Sequence, residues 1–105
     1  MTERTAKALR KMLMHTERVL QYATKDWVKD ALRVDAIVFN LSQIGELVRL
    51  VDEETQAMHP QIPWAAMRGF RNRIVHDYDS IQFNILQATV HQDLPILASA
   101  MNDLL

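Results

Sequence analysis

Only two glycines and three prolines punctuate these 105 residues, and that scarcity constrains the fold more than any other feature. Short strands joined by tight turns draw heavily on both residues, so a chain this poor in breakers is expected to form long helices. Residues 31–51 make the expectation concrete. Val34, Ile37, Val38, Leu41, Ile44, Val48 and Val51 recur at i, i+3, i+4, i+7 spacing, the stripe of an amphipathic helix. Gly45 interrupts that helix. A mid-helix glycine costs about 1 kcal/mol against alanine, so its presence predicts another helix packed close against it. A first helix is predicted over 4–22 with the stripe Leu9, Met12, Leu13, Val19 and Leu20. Residues 23–30 read as a connection containing Asp26 and Trp27, and 52–59 either extend the second helix or form a short one that Pro60 and Pro63 end. A third helix is expected from Pro63, a favourable first-turn residue, to about residue 77, carrying Trp64, Met67, Phe70 and Ile74 inward. A fourth should begin after Asp79-Ser80, either of which can cap it, and run to about 103 with a kink at Pro95. The resulting expectation is all-α: one domain over 1–105, an up-and-down four-helix bundle with a kinked C-terminal helix.

Composition excludes several functions. The chain has no cysteine, so disulfides, thiolate chemistry and cysteine-bound zinc are absent. The formal net charge is −1. A strongly basic nucleic-acid binder would not look like this, and any RNA contact must come from a local basic patch. No run of 18 apolar residues exists to span a bilayer. Met1-Thr2-Glu3-Arg4 opens no apolar signal segment, and the expected location is cytoplasmic. His15, His59 and His91 have no partners at ligand spacing, so neither a metal site nor a cofactor is expected. Trp27 and Trp64 read as packing anchors, and Met12, Met58, Met67 and Met101 as core fillers.

The densest functional cluster is Arg68, Arg71, Asn72, Arg73, His76 and Tyr78. On an uninterrupted helix Arg68, Asn72 and His76 would share one stripe, flanked by Gly69 and opposite the buried Met67, Phe70 and Ile74. Arginine, asparagine and histidine together suit phosphodiester cleavage. An imidazole can take a proton from a ribose 2′-hydroxyl or give one to a leaving oxygen. A guanidinium fork can stabilise the charge that develops on phosphate, and an amide can orient the imidazole. That scheme needs no metal. Arg71 and His76 are five apart, about 140° around an ideal helix, so they do not converge on one straight helix. They meet only if the helix unwinds near His76 or two copies pair across a two-fold axis. The structural readings stand beside these. Arginine and histidine near a helix C-terminus complement its dipole. Arg73 and Asp77 suit an i, i+4 surface ion pair. Tyr78 can simply pack its ring, and Glu46 is either a cleft residue or an ordinary exposed carboxylate.

The spacing Arg71, four residues, His76, Asp77, Tyr78 resembles the R-x4-H-x-Y signature of the HepT-like branch of HEPN proteins. Asp35-Ala36 through Ile44-Gly45-Glu46, His59-Pro60 with Ile62-Pro63-Trp64, and Leu94-Pro95 resemble the surrounding family pattern, so the likeness covers nearly the whole chain. The resemblance implies the toxin of a two-gene (type VII) toxin–antitoxin pair. Such a toxin is a metal-independent endoribonuclease acting on RNA such as tRNA, and a homodimer with the motif in an interface cleft. It further implies a partner, a minimal nucleotidyltransferase of the MntA type that neutralises the toxin by AMPylation of the motif tyrosine. Carried onto this chain, Arg71 and His76 would be catalytic, Asn72 the polar residue beside the arginine and Tyr78 the AMP acceptor; Arg68, from the polar cluster, and Glu46, beside Gly45, are further supporting candidates. Two alternatives remain: a non-catalytic helical module that binds a nucleotidyltransferase partner and a nucleotide, and a dimeric bundle with only a structural role.

Overall fold

A computed structural model describes residues 1–76 and 80–105, without the side chain of His76. Helix α1 (Glu3–Tyr22) starts where the Thr2 side chain accepts a hydrogen bond from the Thr5 amide. A 3-10 turn (Trp27–Lys29) follows, entered through Asp26 in the left-handed region at φ 61°. It buries Trp27, so the expected connection contributes to the core. Helix α2 (Ala31–Val48) is capped by the Asp30 carboxylate, which accepts from the Leu32 and Arg33 amides. Helix α3 (Glu53–Met58) is a separate short helix capped by Asp52. Helices α4 (Trp64–Arg68) and α5 (Phe70–Ile74) lead into a two-residue antiparallel ladder, β1 (Val75–His76) against β2 (Ser80–Ile81), with Val75 opposite Ile81 and His76 opposite Ser80. Helix α6 (Phe83–Ala88), a π-helical turn (Thr89–Asp93) and α7 (Leu94–Leu104) complete the chain.

The fold is all-α apart from that ladder. Helix α1 lies along α2 and also packs against α7, while α4 and α5 pack on α2. Side-chain links set the direction. Thr5 joins Asp52, His15 joins Asn40, and Arg33 donates to the Tyr22 carbonyl, so position falls along α2 as it rises along α1. The two helices are therefore antiparallel. Leu9, Met12, Ile37, Leu41, Ile44, Met67, Ile74, Leu86 and Leu97 close one core between them.

Several expectations need correction. Leu20 is 37% exposed and Met58 67% exposed, so neither fills the core. The third helix is broken at Gly69 and ends at Ile74, short of residue 77. The β-branched pair Ile74-Val75 favours extended backbone there, and the Gln82 amide donates to the Ile74 carbonyl at 2.7 Å, satisfying a helix-end acceptor. Consequently His76 does not continue the Arg68–Asn72 stripe. Ser80 belongs to the ladder, and α6 follows Gln82 without a side-chain cap. Asp79, the other expected cap, lies outside the described residues. The irregularity of the last helix falls at Thr89–Asp93, ahead of Pro95. Pro95 has no N–H to offer the carbonyl four residues back and its ring crowds that turn, so a widened turn N-terminal to it relieves both problems.

The glycine in α2 has the role its position implied. A Cβ on Gly45 would stand 2.7 Å from the Met67 carbonyl oxygen and 3.2 Å from that of Arg68, both backbone atoms of α4. At Gly69 an added Cβ meets nothing nearer than 3.7 Å. Gly45→Ala should therefore destabilise the fold by about 1–2 kcal/mol net of its helix-propensity gain, lowering Tm by roughly 5–10 °C. Gly69→Ala should stay within about 0.5 kcal/mol of the parent. Thermal unfolding of both variants checks the contrast, and equal Tm values would contradict it.

A second link joins the start of α1 to α3. Thr5 Oγ1 donates to Asp52 Oδ2 at 2.6 Å and accepts from the Asp52 amide, while the Thr55 amide donates to Asp52 Oδ1. The Thr5 hydroxyl, followed by the Thr55 amide, holds the Asp52 carboxyl well below the usual carboxylate range. A lowered folded-state pKa means this stabilisation is complete above the ordinary value of 3.8 and is lost as pH falls below it. Denaturant unfolding between pH 7 and pH 3 should thus show a shallower acid loss for Asp52→Asn than for the parent.

Candidate active site

Arg71 is exposed on α5 and forms part of the wall of a groove of about 380 Å³. The other walls are Asp35, Val38, Phe39 and Ser42 of α2, with Val75 and Ile81 from the ladder. The close seat of α4 on Gly45 brings α5 against α2 and fixes this groove between them. Buried Phe70 and Ile74 anchor the inner face of α5, which turns Arg71, Asn72 and Arg73 outward. Arg68, on the turn before Gly69, is also exposed. Trp64 holds the start of α4, its indole N–H donating to the carbonyls of Gln56 and His59 at 3.1 and 3.0 Å. Buried as it is, Trp64 is a packing anchor, as is Trp27.

The end of α5 bears on the chemistry. Helical geometry would hold positions 71 and 76 about 140° apart. Val75 instead has φ −101° and ψ 115°, so the backbone is extended from there and that constraint no longer applies. Val75 and Ile81 line the groove, and the backbone of His76 is the next residue on the ladder, opposite Ser80. Of the two ways for Arg71 and His76 to meet, unwinding of the helix is the one present within a single chain. The His76 side chain, Asp77 and Tyr78 lie outside the described residues, as does the expected Arg73–Asp77 pair.

Among the described residues, Arg71 pairs with no carboxylate, since the ion pairs join Arg33 to Asp30 and Arg49 to Glu46. Glu46 stands outside the groove. Its Oε2 is 2.8 Å from Arg49 Nη2 and both side chains are largely exposed, the ordinary surface arrangement. The groove also contains residues that the motif does not reveal: Asp35, Phe39 and Ser42. Phe39 is 58% exposed, an aromatic on the outward side of α2 between the buried Val34–Ile37–Leu41 stripe and solvent. An aromatic residue off the apolar stripe was the available signal. Among the described residues the site has a guanidinium with no carboxylate partner, one carboxylate and apolar walls. No three His, Asp or Glu side chains converge as metal ligands among the described residues.

A family model described as "Ribonuclease HepT-like" matches residues 5–104. A protein of Caldanaerobacter subterraneus subsp. tengcongensis, provisionally named an RNase, is 30% identical over 89 residues, covering 85% of this chain and 80% of the relative. A "Probable ribonuclease HepT" of Thermococcus cleftensis is 30% identical over 73 residues, covering 70% of this chain and 66% of that protein. A further provisionally named RNase, from Methanocaldococcus jannaschii, is 30% identical over 70 residues, covering 67% of this chain and 58% of the relative. No solved structure matches the chain.

Proposed function

Because the chain belongs to the ribonuclease HepT-like family, we propose that it is an endoribonuclease that works without a metal and acts as the toxin of a HepT/MntA-like pair. The observation that carries this reading is the position of Arg71 on the groove wall, with the backbone leaving the helix one residue before His76. In the proposed reaction the His76 imidazole takes the proton of a ribose 2′-hydroxyl. The freed oxygen attacks the adjacent phosphorus, a 2′,3′-cyclic phosphate forms as the P–O5′ bond breaks, and the leaving 5′-oxygen takes its proton from water. Arg71 binds the phosphate oxygens and stabilises the charge that builds on them, in a groove whose apolar walls Val38, Phe39, Val75 and Ile81 strengthen that attraction. Asn72 and Arg68, both exposed, act as supporting residues, Asn72 by orienting the imidazole and Arg68 by contacting a flanking phosphate. Substrates of this site are RNA, with tRNA the first candidate.

The active species is proposed to be a homodimer with the groove at its interface. Leu32 and Phe39, one face of α2 apart by two turns, are 82% and 58% exposed, an apolar surface beside the groove that a second copy would cover. Neutralisation is proposed to fall on Tyr78. Its hydroxyl attacks the α-phosphorus of ATP on a nucleotidyltransferase partner, pyrophosphate leaves, and the attached AMP adds bulk and negative charge two residues from His76.

Purified, unmodified protein should cleave a tRNA pool in the presence of chelator. His76→Ala should lower that rate by about 10²–10⁴-fold and Arg71→Ala by about 10²–10³-fold, with circular dichroism unchanged. Undiminished cleavage by both folded variants, or none by the unmodified parent, would sink the nuclease reading and favour the nucleotide-binding module. Phe39→Glu should shift the protein toward monomer in sedimentation velocity and reduce cleavage in proportion; a fully active monomer would refute the composite site.

A further inference from the structure

Charge is distributed unevenly along the chain. Residues 1–33 hold eight of the 12 Lys and Arg side chains against four of the 13 carboxylates, a local net of +4, while the remainder carries −5. No carboxylate lies between Glu3 and Glu17. Arg4, Lys7 and Lys11 within that stretch, and Arg18 just beyond it, recur at helical spacing on one flank of α1, and all four are exposed. The ion pairs among the described residues involve none of them. Resting on the ribonuclease reading, we infer that this flank of α1 is a binding surface for the phosphate backbone of the RNA, extending the site beyond the groove that holds Arg71.

Position decides between this and an ordinary solvated helix face. Lys11 lies one turn before His15 and Arg18 one turn after it, so the basic flank shares its side of α1 with His15. His15 Nδ1 is 2.7 Å from Asn40 Oδ1, which places that side of α1 against α2 at the residue next to Phe39. Phe39 forms a wall of the groove with Arg71. The basic flank therefore borders the part of α2 that leads into the groove. From Arg4 to Arg18 the flank runs about 21 Å, with charges roughly one turn apart at its start, a spacing suited to successive phosphates. Met14, 38% exposed, fills the interval between Lys11 and Arg18 with apolar surface that a base can cover. A chain of net charge −1 gains long-range attraction for a polyanion only by such segregation.

The test uses full-length His76→Ala protein, so that RNA stays intact, and a fluorescent unstructured oligoribonucleotide. Anisotropy titrations at several salt concentrations give the slope of log affinity against log salt, about −0.7 per neutralised phosphate for single strands. Replacing Arg4, Lys7, Lys11 and Arg18 together by Gln should flatten that slope by about 3 and weaken binding at least about tenfold. A charge-keeping set, Arg4→Lys, Lys7→Arg, Lys11→Arg and Arg18→Lys, should retain the parent slope. A folded Gln variant with the parent's slope and affinity overturns the inference, and if it also cleaves RNA normally in the His76 background the nuclease reading survives. Loss of nucleotidyltransferase binding with RNA binding untouched would likewise overturn it, assigning the flank to a protein partner. Parent protein that neither binds nor cleaves RNA removes both readings together.

Discussion

The contact between Gly45 and the backbone of α4 governs the placement of everything around the site. Two helices with side chains at their crossing point normally keep their axes 8–10 Å apart. Here the Met67 and Arg68 carbonyls approach so closely that a single methyl group would collide with them. That approach sets α4 down on α2, and α5 inherits its position through one residue, Gly69. Core burial then completes the seat: Met67, Phe70 and Ile74 are essentially inaccessible, and they hold the inner face while the arginines face outward. The cost of glycine inside α2 is offset by the precision with which it positions the groove wall.

The short length of α5 is equally consequential. A helix running to residue 77 would have held Arg71 and His76 on different faces. Termination at Ile74, with its carbonyl taken by Gln82, replaces helical geometry by an extended segment paired with β2. The fold thus has two breaks, at Gly69 and after Ile74, within the segment that holds the proposed catalytic residues. Packed bundles gain stability from long uninterrupted helices, and irregular backbone in such a segment is the usual mark of a site that needs groups in positions a helix cannot supply.

Much of this was legible in the residues. The helical periods of α1 and α2, the close approach at Gly45 and the Arg71–His76 motif all rest on local pattern, which survives folding unchanged. The two breaks in the third helix were not legible, because they depend on tertiary partners: Gly69 tolerates a helix as well as it tolerates a break, and the Ile74 carbonyl is claimed by an amide eight residues on. Phe39 and Asp35 as groove walls were hidden for a related reason, since which outward residues of α2 face α5 follows from the seat on Gly45. The π turn before Pro95 was foreshadowed by the proline, and it lies one turn earlier because the missing N–H and the ring of Pro95 act on the preceding turn. Glu46 shows the converse: a carboxylate next to the functional glycine that the fold turns outward to Arg49.

Everything functional above depends on Arg71 and His76 acting on one phosphodiester. A double-mutant cycle on kcat/KM for RNA cleavage measures this directly, using Arg71→Ala, His76→Ala and the combined variant. Residues that serve one transition state are strongly non-additive, so the combined variant should be hardly slower than the worse single variant. Losses that multiply in full would place the two residues in independent roles and contradict a shared site.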